Sequence, residues 1–124
     1  MFCFPKKERL SEQKRIESLF SKGKTFLCYP FSVRYTKAEG RGNISVLIVC
    51  SKRYQRKAVN RNYIKRRMRE AFRLNNQFLK SYLKENNINL DFSLSYISKE
   101  IFNYQQIEDK IKEILVILQK EVQQ

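Results

Sequence analysis

Apolar positions along the chain switch period repeatedly, and each switch marks an element. Ile16, Leu19 and Phe20 share one helical face, Ser11 can cap that helix, and Gly23 supplies the stop, which predicts a first helix over 11–22. From Thr25 to Tyr35 aromatic and β-branched residues dominate, with Pro30 marking an edge strand or a bulge. After the turn-like 39–43, Ile44 to Cys50 is almost wholly apolar, as a strand covered on both faces would be. These two runs are expected to pair antiparallel.

Beyond the polar, basic loop 51–57 the period becomes helical. Ile64, Met68, Ala71, Phe72, Leu79, Tyr82 and Leu83 predict one long helix from Ala58 to about residue 84, ended by Glu85-Asn86-Asn87. Phe92, Leu94 and Tyr96 then alternate with Ser93 and Ser95, a half-buried strand over about 91–98. Asn103 followed by Gln106 forms a capping box for a last helix whose face is Ile107, Ile111, Ile114, Leu115, Leu118 and Val122. The order of elements predicts an α+β sandwich with one βαβ crossover in a single domain spanning 1–124, with its ordered core at about 9–122.

Composition narrows the chemistry. Nine Phe, seven Tyr, three Gly and two Pro in 124 residues describe a packed globule, although the net charge is +14. There is no histidine, so the commonest general base and the commonest imidazole metal ligand are both missing. Cys3, Cys28 and Cys50 lack zinc or disulfide-framework spacing, which suits a reducing, cytoplasmic compartment. No apolar run reaches membrane-spanning length, and the first five residues do not read as a signal peptide. Neither a metal site nor a catalytic residue is expected on the chain, and no membrane partner.

The charge is concentrated. Between Lys52 and Arg73 ten Lys or Arg face the single acid Glu70. Spaced 100° apart around a helix, Ile64, Met68, Ala71, Phe72 and Leu79 take one arc, while Arg61, Lys65, Arg69, Asn62, Arg73 and Arg66 take its neighbour within roughly 140°. Arg67 falls on the far side of the apolar stripe. Lys52, Arg53, Arg56 and Lys57 extend the cationic surface to the helix N-terminus, where backbone amides also favour anions. Guanidinium forks match phosphate oxygens, and Asn62 can address a base edge or a ribose hydroxyl. Like charges this dense repel within a Debye length of about 8 Å, so a polyanionic partner is expected. An exposed aromatic beside them would hold an unpaired base through stacking worth ~1–3 kcal/mol.

A DNA-reading helix would suit the charge, but such modules are mostly helical and this chain places strands first. A polybasic membrane-surface protein would need large exposed apolar residues on the helix. An independent nuclease would need the histidine or carboxylate cluster that the sequence does not offer. A basic DNA- or ribosomal-RNA-binding protein with no link to a nuclease remains the alternative reading.

Ala58 to Arg73, containing Arg61-Asn62 and Lys65-Arg66-Arg67-Met68-Arg69-Glu70, resembles the RNR motif of the bacterial ribonuclease P protein subunit. Val49-Cys50-Ser51-Lys52-Arg53, Phe20 with Gly23, and Asn103-Tyr104 extend the resemblance from about Arg9 to Val122, with Tyr54-Gln55-Arg56-Lys57 in place of a shorter glycine-containing turn. The resemblance implies a two-layer sandwich of about four strands and three helices, similar to a ribosomal-protein domain, with an unusual left-handed crossover. It also implies a small protein bound to a catalytic RNA that removes the 5′ leader of precursor tRNA, the RNA and its Mg2+ performing the hydrolysis. The protein alone would hold no cofactor and need no obligate protein partner. On the same ground Arg61, Asn62, Lys65, Arg66 and Arg69, with Lys52 and Arg53 beside them, contact the RNA. A cleft between the first helix and the sheet takes the leader, with Phe20, Val33 and Tyr35 as candidates.

Overall fold

A computed structural model describes residues 13–123. The elements are α1 (Gln13–Lys22), β1 (Lys24–Cys28), β2 (Phe31–Glu39), β3 (Ile44–Cys50), α2 (Ala58–Asn75), α3 (Gln77–Asn86), β4 (Ile88–Tyr96) and α4 (Tyr104–Val122). The expected Ser11 cap of α1 lies outside the described residues.

The run expected as one interrupted strand is a hairpin. β1 and β2 pair antiparallel from Lys24↔Tyr35 to Cys28↔Phe31, and Tyr29-Pro30, joined by a cis peptide bond, makes the turn. The expected pairing of this run with Ile44–Cys50 is not formed. The sheet order is β1-β2-β4-β3, so β4 separates them, antiparallel to β2 and parallel to β3. The intervening turn shows why. Its backbone bonds go to the entry of β4, with Gly40 N–H donating to Asn87 O and Leu90 N–H donating to Asn43 O. The side-chain oxygen of Asn89 also accepts from Arg41 and Asn43 N–H. Gly42 sits at φ +86, where a Cβ would also lie 2.5 Å from the Lys84 backbone. As an edge strand, β3 leaves Leu47, Ile48 and Val49 half-buried, although its apolar run suggested cover on both faces.

Four helices replace the three expected, because the long one breaks at Asn76. That residue has φ −95 and ψ 1, closing α2 and opening α3. The preceding Asn75 turns its amide back onto Ala71 O, the local competition with the helical ladder that short amide side chains offer. Leu79 and Leu83 keep the angular phase of a continuous helix, so periodicity alone could not reveal the break. α3 ends at Asn87 in the left-handed conformation (φ 54), and β4 starts at once, three residues earlier than expected. At α4 both arms of the predicted box form, Asn103 Oδ1 accepting from Gln106 N–H and Gln106 Oε1 from Asn103 N–H.

The two faces of the sheet differ. Phe31, Val33, Tyr35, Leu90, Phe92, Leu94, Tyr96, Val46 and Cys50 are buried and meet the apolar stripes of α2 and α4. Phe31 packs edge-on against Tyr96 with ring centroids 5.6 Å apart, and Phe72 of α2 meets Phe92 at 5.7 Å. The alternate residues Ser32, Arg34, Thr36, Asp91 and Ser93 point to the opposite face, where α1 lies.

Candidate nucleic-acid interface

The interface begins at the loop that leaves β3. Gln55, almost fully buried, donates through Nε2 to Ser98 O at 2.9 Å, pinning the loop against the turn after β4. Its own N–H donates to Ser51 O at 3.1 Å. Arg61, one turn into α2, folds back and donates through Nη1 to Gln55 O at 3.1 Å and Arg56 O at 2.7 Å. Lys57 precedes the helix in an extended conformation with no side-chain cap, and the first turn holds no acid. The uncapped N–H groups at the start of α2 therefore add positive potential among the loop cations.

Most of the predicted cations gather here. Lys52, Arg53, Arg56, Lys57, Asn62, Arg66 and Arg69 are exposed, and Lys65 is half-buried beside Cys50. Burial pushes the Cys50 thiol up, an effect opposed by the nearby Lys65 and Arg61 charges. No carboxylate among the described residues forms an ion pair with Lys52, Arg53, Arg56, Lys57, Lys65 or Arg66. Arg53 lies over the Tyr54 ring at 5.6 Å. Members of the predicted set also have structural partners, among them Arg61, which holds the loop, and Arg73, which bonds Glu70 at 3.1 Å. Among the described residues no group of three His, Cys, Asp or Glu could hold a metal ion, and no helix is long and apolar enough to cross a membrane.

The second predicted region divides. Phe20 is 47% exposed on α1, with the Arg34 guanidinium 5.2 Å above its ring and donating to its carbonyl at 2.9 Å. Val33 and Tyr35 are not with it. Both are buried on the opposite face of the sheet, where the Tyr35 hydroxyl donates to Glu121 of α4 at 2.9 Å. Burial first, then Glu121, pushes the Tyr35 hydroxyl up to about 12. The strand residues on the Phe20 side are Ser32 and Arg34, paired in register with Ser95 and Ser93. Their side of the sheet is legible in the alternation of Ser32, Arg34 and Thr36 with Phe31, Val33 and Tyr35.

α1 is held over this polar face by three devices. Leu19 is fully buried. The Arg15 guanidinium grips both oxygens of Asp91 and donates to Ser45 Oγ at 2.9 Å, bridging α1 to β4 and β3. Gly23 N–H caps Leu19 O at 2.9 Å, and any Cβ there would lie 2.3 Å from that oxygen. The helix thus leans on the polar face of the sheet, with Phe20 exposed beside Arg34.

A basic helix end beside a grooved mixed sheet has counterparts among known proteins. The family model described as Ribonuclease P matches residues 4–119. The chain belongs to the ribonuclease P protein family. The ribonuclease P protein component of Porphyromonas gingivalis is 34% identical over 117 residues, covering 93% of this chain and 85% of that one. Among solved structures, the RNase P protein from Thermotoga maritima is similar with a TM-score of 0.67 at 26% identity, covering 87% of this chain and 94% of its own. That from Staphylococcus aureus shares the fold with a TM-score of 0.64 at 22% identity, covering 90% and 94%. Membership gives the chain its role: it is a protein component of ribonuclease P, a ribonucleoprotein enzyme of tRNA processing, and its partner is the RNA subunit.

Proposed function

We propose that the loop 51–57 and the basic arc of α2 dock on the catalytic RNA through its phosphates, while the polar groove beside α1 holds the 5′ leader of precursor tRNA. The observation that carries this reading is the cluster of Lys52, Arg53, Arg56, Lys57, Lys65 and Arg66 at one helix end, with no ion-paired carboxylate among the described residues. Fixed cations there would replace diffuse counterions between two polyanions, raising substrate affinity and lowering the divalent-ion concentration the RNA requires. Phosphodiester hydrolysis is assigned to the RNA and its Mg2+, and the site of action to the cytoplasm.

In the groove, Phe20 offers a ring, Arg34 a cation, and Ser32 and Ser95 hydroxyls to an unpaired strand, the combination that single-stranded recognition uses. This replaces Val33 and Tyr35 as leader contacts. The test is reconstitution of the full chain with a bacterial ribonuclease P RNA at low Mg2+, scoring accurate 5′ cleavage of precursor tRNA. Cleavage that needs both components is expected. Cleavage by the protein alone, or no response of the RNA to the protein, overturns the proposal.

A further inference from the structure

The helix α2 has a third arc besides its core and basic faces. Val59, Tyr63, Arg67, Glu70 and Leu74 follow one another at spacings of three and four and so share a side of the helix. Val59, Tyr63 and Leu74 are exposed by 75%, 38% and 50%, which is unusual for three large apolar side chains on the charged helix of a small protein. Between Leu74 and the start of α4 runs a groove of about 300 Å3, lined by Arg66, Arg67, Glu70, Leu74 and Tyr104.

At its centre Arg67 is held by rings. Its guanidinium carbon lies 4.8 Å from the Tyr63 ring centre and 6.0 Å from that of Tyr104. Among the described residues Arg67 has no hydrogen bond or ion pair, and its Nε is buried without a partner. The neighbouring acids are engaged elsewhere: Glu70 bonds Arg73, and Glu108 accepts from Tyr104 Oη and Asn75 Nδ2. Burial, then Glu108, pushes the Tyr104 hydroxyl up to about 12, so that ring stays neutral at any physiological pH. A planar cation fixed by stacking, with no direct ion pair of its own, is preorganised for an external anion.

We infer that this arc is a stacking platform, on which an unpaired base of the RNA subunit lies against Tyr63 while the adjoining phosphate meets Arg67. The inference rests on the RNA-docking reading and adds base stacking to it. Charge selects the occupant. The platform adjoins Arg66 and continues the basic arc around the same helix, so an entering chain must carry negative charge along its length and flat apolar groups at intervals. A single-stranded stretch of RNA has both.

The full chain is titrated against a bacterial ribonuclease P RNA over a series of salt concentrations. Tyr63→Leu, which keeps an apolar, helix-favouring residue, should weaken binding roughly 5- to 150-fold, the span one stacked base contributes, with no change in the salt slope. Tyr63→Phe should bind like the unmodified chain. Arg67→Gln should weaken binding and lower the slope by about 0.7–0.9. If the unmodified chain binds and Tyr63→Leu binds equally well, the platform is wrong while RNA docking stands. Loss of binding in Tyr63→Phe also overturns it, since a hydroxyl contact and not stacking would then be at work. If the unmodified chain does not bind the RNA, both readings fall. Should Tyr63→Leu not fold, the Arg67→Gln slope decides.

Discussion

The same strands make two surfaces of opposite character. On one face of β2 and β4, Phe31, Val33, Tyr35, Leu90, Phe92, Leu94 and Tyr96 are sealed under α2 and α4. On the other, Ser93 is buried but Ser32, Arg34, Thr36, Asp91 and Ser95 are covered only in part, and α1 touches this face through an ion pair, one buried leucine and an arginine over a phenylalanine. The first face stores the stability. The second trades apolar contact for hydrogen-bonding capacity, the property on which the proposed leader site draws. A one-residue change of register would exchange the two, so the alternation itself separates core from polar surface.

Substitutions should separate the faces by size of effect. Phe92→Ala, beneath Phe72, is expected to cost about 3–5 kcal/mol in urea unfolding; a cost near zero would mean that this face is not the core. Arg15→Ala should cost only about 1 kcal/mol, because the pair with Asp91 is partly exposed, but leader affinity should fall more than affinity for the RNA subunit. Equal losses for both RNAs would show that α1 is no part of a separate groove. Lys65→Ala should leave the melting temperature unchanged and reduce the salt slope of RNA-subunit binding by about 0.7–0.9; an unchanged slope would remove Lys65 from the interface. The smallest effect is on pH. The hydroxyls of Tyr35, Tyr96 and Tyr104 are raised to about 12 from 10, so the fold holds more protons than the unfolded chain between those values. Their stabilisation is fully present below pH 10 and is lost as pH rises towards 12. A stability curve that falls between pH 7 and 9 would need another cause.

The extent to which the sequence foretold this follows from which interactions are local. The Asn103–Gln106 box closes within four residues, and both arms form as expected. The helical face of α4 and the buried stripe of α2 likewise follow from spacing. Strand order does not, because the choice of β4 over β3 as the neighbour of β2 is made by contacts between residues about sixty apart, such as Val33 and Leu94. The break at Asn76 was invisible to periodicity because the apolar phase runs through it. Within the basic arc, charge located the group but not the division of labour. Arg61 is spent on the carbonyls of Gln55 and Arg56, a bond that no local pattern announces. Replacing Arg61 should therefore disturb the loop as well as any RNA contact.

The central position of β4 also governs how the polypeptide can be made. As the chain leaves the ribosome, α1, the β1–β2 hairpin, β3 and the cationic helix all emerge before the strand that joins them. Until Tyr96 is out, the β1–β2 hairpin and β3 lack the strand that joins them, and the apolar stretch from Ile44 to Cys50 has an open edge. The sheet can thus be completed only after β4 has emerged, later than the cationic helix packed on it.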